Sequence, residues 1–168
     1  CNHVSFMDPL LLMANLRRPV RFVMYYKIFN VPLLSFVFRT AKAIPIAGHN
    51  EDPLVLQQAY DAIDAALAAG EVVCIFPEGR LTVDGEIAPF RTGVEKILAR
   101  RPVPVVPMAL RGLWGSVWSR RDSRLGRARL PRRFRARVEL LVDAPTVPDQ
   151  TTAASLEARV RTLRGDLV

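Results

Sequence analysis

The sequence predicts a single α/β domain, residues 1–168, with a mostly parallel central sheet flanked by helices. Three observations predict it. Short continuous apolar runs, "EVVCIF" (71–76) and "VPVVPMAL" (103–110), are bounded by turn residues, the mark of strands buried on both faces. Amphipathic helical segments alternate with these runs along the chain. A length of 168 residues suits one domain with a sizeable core, and no internal repeat, heptad pattern or low-complexity linker divides it.

Element by element, "DPLLLMANL" is expected to open a helix. Pro9 disfavours the helical region for Asp8 and suits a first helical position, so Asp8 falls at the N-cap. The apolar, aromatic segment 19–46 has Arg and Lys spaced through it. Pro32 is expected to split it into two short helical or interfacial pieces, either buried as core or resting among lipid head groups. Residues 51–71 read as an amphipathic helix with Asp52 as N-cap, Pro53 at its first position and Gly70 at its end. Apolar residues recur there at 56, 59, 63, 66 and 67. The run 71–76 is a strand, 90–101 a short helix, and 103–110 a second strand whose prolines confine it to an edge or its ends. Residues 111–137 form a loop-rich arginine run in which Asp122 is the only acid. Residues 136–145 are the last strand and 151–167 the last helix, where Ser or Thr before the helix and Glu157 in its early turns suit a capped N-terminus.

Composition narrows the function classes. Half of the residues are hydrophobic, yet no uncharged apolar run reaches the ~18 residues of a spanning helix. Cys1 and Cys74 do not make a disulfide framework, so a reducing compartment is the default. No Cys/His cluster has metal-ligand spacing, and Cys74, inside a buried strand, is a poor nucleophile. The chain begins with Cys rather than Met, without the charged start or small-residue cleavage site of a secretory leader. A piece cut from a longer chain is expected, with elements upstream missing and neighbouring domains fused. The formal charge of +8, nearly all of it arginine, reads either as genomic base composition or as fit to an anionic partner: phosphate, lipid head groups, an acidic carrier protein or nucleic acid.

The chemistry centres on "NHVSFMD". On a continuous helix, residues five apart lie about 140° from each other and share no face. A turn ahead of Pro9 removes that obstacle and lets His3 fold back toward Asp8. A carboxylate that accepts the Nδ1–H of a histidine fixes its tautomer and leaves Nε2 free to take a proton. Unpaired amides at the helix start offer a place for a developing oxyanion. Ser5, two residues from His3, reads as turn-forming rather than nucleophilic. "FPEGR" (76–80) forms a tight turn at the carboxyl end of a strand, where α/β sheets place ligands. Arg80 there is set for a phosphate, and Glu78 to hold it or to meet a hydroxyl.

The ordered set N-H-x-S-x-x-D, F-P-E-G-R, F-R-x-G and V-P-V-V-P resembles the glycerolipid acyltransferase family of the lysophosphatidic acid acyltransferase type, over roughly the first 110 residues. "FRTAKAIPI" and "FPEGRLT" look most like acyltransferase modules of bacterial fusion proteins. The resemblance implies a glycerol-3-phosphate acyltransferase-like fold, with His3 and Asp8 as catalytic dyad and Glu78, Gly79, Arg80 and Arg91 for the substrate and its phosphate. It implies no metal and no cofactor beyond acyl-CoA or an acyl carrier protein as co-substrate. The acceptor is a lysophospholipid or acylglycerol phosphate, and the place is the cytoplasmic face of a bacterial inner membrane. Two positions depart from the family form: arginine follows glycine directly in F-P-E-G-R, and "AIPIAGHN" supplies Gly48 and His49 where a basic residue is usual. A larger head group, or a phosphate held by Arg39, Lys42 or Arg91, fits those departures. Leu10 to Met13 read as acyl-chain groove or as helix core, and the arginine run 111–137 as a solvated loop or a surface for anionic lipid or carrier protein. Two rival readings stand beside it. One is a basic lipid- or nucleic-acid-binding module, with Trp114 and Trp118 suited to single strands, although no nucleic-acid motif appears. The other is a hydrolase in which His3 activates water.

Overall fold

The computed structural model describes residues 1–3, 5, 7–30, 32–48, 50–114 and 137–165, with the side chains of 32–34 excepted. His49 and most of the arginine run, with Trp118 and Asp122, lie outside the described residues.

The chain divides into two compact units, one formed by Leu16–Ile75 with Lys96–Val103, the other by Cys1–Asn15, Phe76–Glu95 and Pro104–Val168. In the first, β1 (Val20–Tyr25), β2 (Ile44–Ile46) and β3 (Val72–Cys74) form a parallel sheet in the order β2-β1-β3, with Val23 opposite Ile44 and Phe22 opposite Cys74. Parallel strands need crossovers, and helices supply them: α2 (Pro32–Thr40) links β1 to β2, and α3 (Pro53–Ala68) links β2 to β3. The α/β expectation holds for these three strands. One part of it needs correction. Residues 19–46 are not two short helical pieces but β1, a 3-10 turn at Tyr26–Asn30, α2 and β2, and Pro32 starts α2 instead of dividing two helices. The aromatic and β-branched run "VRFVMY" carries four buried residues and takes the central position of the sheet.

Helix α3 is built as its pattern predicts. Asp52 accepts from the amides of Leu54 and Val55, and Gly70, at φ +73°, follows the helix end. Its inner face joins Ala59 and Ile63 to Val23 of β1 and Ile44 of β2 as the core of this unit. Ile46, Leu67, Val73, Ile75 and Ile97 pack around them.

In the second unit, α1 (Asp8–Asn15) follows the opening segment. β4 (Met108–Arg111) and β5 (Glu139–Val142) form an antiparallel pair, with α5 (Ala153–Arg164) packed on both. These two strands thus do not extend a parallel ladder: Met108 faces Val142 and Arg111 faces Glu139. α4 (Gly93–Arg100) begins in this unit and continues into the other. The start of α5 is capped by a Thr, as expected, but the reciprocal partner is not Glu157. Thr152 and Ser155 cap it reciprocally, which leaves Glu157 for other partners. Among the described residues no helix is long and apolar enough to cross a membrane.

Candidate active site

The opening segment is anchored before it reaches the histidine. The Asn2 side-chain amide donates to the Leu110 carbonyl (3.1 Å) and accepts from the Leu110 amide (2.7 Å), so a side chain continues the hydrogen bonding of β4. His3 is then held from both sides of its backbone. Its amide donates to Glu78 Oε1 at 2.7 Å, and its carbonyl accepts from the Thr82 amide at 3.0 Å.

The turn that follows brings His3 Nδ1 to 2.9 Å from Asp8 Oδ2. The Ser5 amide donates to the same carboxylate oxygen at 2.9 Å, and the Asp8 amide donates back to the Ser5 carbonyl. Ser5 Oγ accepts from the Met7 amide, so this serine forms the turn. A carboxylate can only accept, which places the histidine proton on Nδ1 and leaves Nε2 as the basic nitrogen. Asp8 is fully buried, whereas the His3 side chain keeps 19% of its surface open. Phe76 stacks on the imidazole at a centroid distance of 4.2 Å and 20° between planes, fixing the ring's remaining rotation.

Glu78 is 2% exposed. Beyond the His3 amide, it accepts from the Ala88 amide through Oε2 at 2.8 Å. Burial pushes its carboxyl up from the ordinary range, and these two backbone donors pull the other way. Both oxygens are thus engaged by backbone, and Glu78 braces the histidine segment against residue 88. This brace, the Asn2 clasp and the Phe76 stack are contacts of the candidate site that sequence reasoning missed. The motif letters contain all three residues, but their partners lie far along the chain.

Gly79 and Arg80 are exposed on the same turn. The carbonyl of Phe76 accepts from the Gly79 amide, and the carbonyl of Pro77 accepts from the Arg91 amide at 2.9 Å. Gly79 has φ +65°, and a Cβ there would meet Arg91 Nε at 2.9 Å, so glycine is needed both for the turn and for the guanidinium lying over it. Arg80 adds a second cation, and its charge contributes to holding the Asp84 carboxyl low, after the Glu86 amide and the Thr82 hydroxyl. His3, Asp8, Glu78, Gly79, Arg80 and Arg91 all belong to one unit. Arg39 and Lys42 belong to the other, where Arg39 Nε donates to Ser35. Leu12 of α1 is buried as core, while Leu10 and Met13 are exposed. Among the described residues no group of three or more His, Cys, Asp or Glu could hold a metal ion.

Comparison with known proteins identifies the family and the fold. The chain is 31% identical over 111 residues to the chloroplastic 1-acyl-sn-glycerol-3-phosphate acyltransferase BAT2 of Brassica napus, covering 66% of this chain and 31% of that protein. It is 32% identical over 126 residues to a 1-acyl-sn-glycerol-3-phosphate acyltransferase of Chlamydomonas reinhardtii, covering 74% of this chain and 36% of that one. The chain thus spans about a third of the length of these curated relatives. In fold it is similar to the crystal structure of the 1-acyl-sn-glycerophosphate (LPA) acyltransferase PlsC of Thermotoga maritima, with a TM-score of 0.68 at 19% identity over 96% of this chain and 61% of that one. The family model described as Acyltransferase matches residues 1–111, which include every residue of the site above, and the chain belongs to that family.

Proposed function

We propose that this chain carries the transfer centre of a 1-acylglycerol-3-phosphate O-acyltransferase, which moves a fatty acyl group from acyl-CoA or acyl carrier protein to the free hydroxyl of an acylglycerol phosphate or related lysophospholipid. The observation that carries this reading is the 2.9 Å contact between His3 Nδ1 and a fully buried Asp8. With Nδ1–H committed to Asp8, Nε2 takes the proton of the acceptor hydroxyl as its oxygen attacks the thioester carbonyl. A C–O bond forms, the tetrahedral adduct collapses, the C–S bond breaks, and the leaving thiolate takes the proton from the imidazolium. Asp8 stabilises that imidazolium while it lasts. Arg80 and Arg91, exposed beside Gly79, supply two cations for the acceptor phosphate. The thioester is a co-substrate, and the scheme calls for no metal.

A membrane surface is the proposed setting, at the cytoplasmic face of a bacterial inner membrane. In the sheet-bearing unit, Phe36 is 72% exposed on α2, Tyr25 and Val37 are exposed as well, and Lys27 and Arg39 accompany them. Exposed aromatics with interleaved cations suit an anionic head-group boundary.

The test is thiol release from acyl-CoA across a panel of lysolipid acceptors, with and without acceptor. Release that depends on acylglycerol phosphate and yields diacylated product supports the proposal. Free fatty acid formed without acceptor would indicate a hydrolase, and salt-sensitive binding of short nucleic acid without thioester consumption would indicate a binding module.

A further inference from the structure

We infer that α5 positions the His3–Asp8 pair, with Arg161 as the principal residue, acting through the one peptide group that joins Ile87 to Ala88. The kinetic consequence rests on the acyl-transfer reading above; the structural consequence does not.

That peptide is gripped at both ends. Arg161 Nη2 donates to its carbonyl, on Ile87. Its N–H, on Ala88, donates to Glu78 Oε2 at 2.8 Å, and the other oxygen of Glu78 accepts from the His3 amide at 2.7 Å. A guanidinium on the oxygen and a carboxylate on the hydrogen both match the peptide dipole, and bonds to ionised partners are the stronger kind. The peptide is planar and stiff, so a rotation at Ile87 is carried to Ala88 and on to Glu78. Displacing Glu78 displaces the backbone of His3.

The rest of the same helix face works on the same segment. Glu157, one turn before Arg161, pairs with its Nε at 2.9 Å and accepts from the Phe90 amide at 2.9 Å. Arg164 donates to the Gly85 carbonyl at 2.9 Å and to Glu86 at 2.8 Å. At the helix start, the Ala153 amide donates to Glu95 at 2.8 Å. Residues 85–90 form no helix or strand, so the bonds from Glu157, Arg161 and Arg164 stand where a ladder would and set the conformation. Phe90 leads directly into Arg91, whose guanidinium covers Gly79. Ala153, Glu157, Arg161 and Arg164 all lie beyond the 1–111 stretch that matches the family model. Arg159, on the same helix, pairs with Asp143 at 2.7 Å and provides a control.

The experiment compares R161A, R161K and R159A in two readouts. In amide hydrogen exchange, R161A is expected to speed the His3 and Ala88 amides about tenfold or more relative to the Leu110 amide, R161K less, and R159A not at all. In acyl-CoA turnover with an acylglycerol phosphate, R161A is expected to lower kcat about tenfold while KM for the acceptor stays within about twofold, with partial recovery in R161K. Should R161A not fold, R161Q, which keeps a neutral donor, is read in the same way. Equal exchange at His3 and Ala88 in the Arg161 and Arg159 variants would overturn the inference. So would a kcat that stays at the wild-type value while the melting temperature falls. A wild-type chain with no turnover would defeat the acyl-transfer reading alone, and the exchange readout would then decide the positioning role.

Discussion

In the sheet-bearing unit, Val23, Ile44, Ala59 and Ile63 bury apolar side chains from strands and a helix against one another. In the site-bearing unit, the residues around His3 are fixed instead by polar contacts that reach 75 positions to Glu78 and, for Asn2, 108 positions to Leu110. The two constructions fail differently. A close-packed apolar cluster loses free energy in proportion to the atoms removed and keeps its layout. A buried polar network depends on every member, since removing one partner leaves another unsatisfied. The proposed chemistry thus lies where polar contacts, rather than apolar packing, fix the geometry.

The largest effect is expected at Asp8. Asp8→Ala removes the acceptor of both His3 Nδ1 and the Ser5 amide and should cut acyl transfer by about 10²–10⁴-fold, measured as thiol release. Next comes Ile63→Ala in the opposite unit. At 1% exposure it should destabilise the fold by about 2–5 kcal/mol in denaturant titration, while turnover per folded molecule stays within about twofold. A large kinetic loss there would break the contrast between the units. A smaller, pH-dependent effect is expected at Glu157. The Phe90 amide, and then Arg161, hold its carboxyl below the ordinary 4.5. The charged form is therefore favoured in the folded state, and its stabilisation is present above pH 4.5 and lost as pH falls through the lower folded value. Glu157→Gln should cost about 1 kcal/mol near neutrality, and the gap from wild type should close in acid. The smallest effect is expected at Arg101→Ala. Its pair with Asp64 is more than a third exposed on each side, so its loss should shift the denaturation midpoint only slightly, and less still in high salt.

What could be read from the sequence follows the same division. α3 was legible to its caps because Asp52, Pro53 and Gly70 act on their immediate neighbours. The closeness of His3 and Asp8 was legible because the two are separated only by a local turn, which the Asp8 amide closes on the Ser5 carbonyl, although α1 includes Asp8 instead of starting after it. β1 was not, because a short apolar run such as "VRFVMY" suits a buried helix as well as a strand until β2 and β3 flank it. The antiparallel pairing of β4 with β5 was not legible either, since each strand shows only its own composition. Glu78 read as an acid beside a phosphate-binding arginine, yet its two oxygens meet amides of residues 3 and 88. Glu157 suited a helix cap by position, but Ser155 does that work and Glu157 reaches Phe90. Contacts set by nearest neighbours are written locally, and those set by chain closure are not.

His3 is the residue proposed to take the proton of the acceptor hydroxyl. The most direct measurement is single-turnover acyl transfer from acyl-CoA to 1-acylglycerol-3-phosphate by His3→Ala, with circular dichroism recorded on the same sample. Transfer is expected to fall by about 10²-fold or more, with the folded spectrum unchanged. A folded His3→Ala protein that transfers acyl groups at the wild-type rate would contradict it.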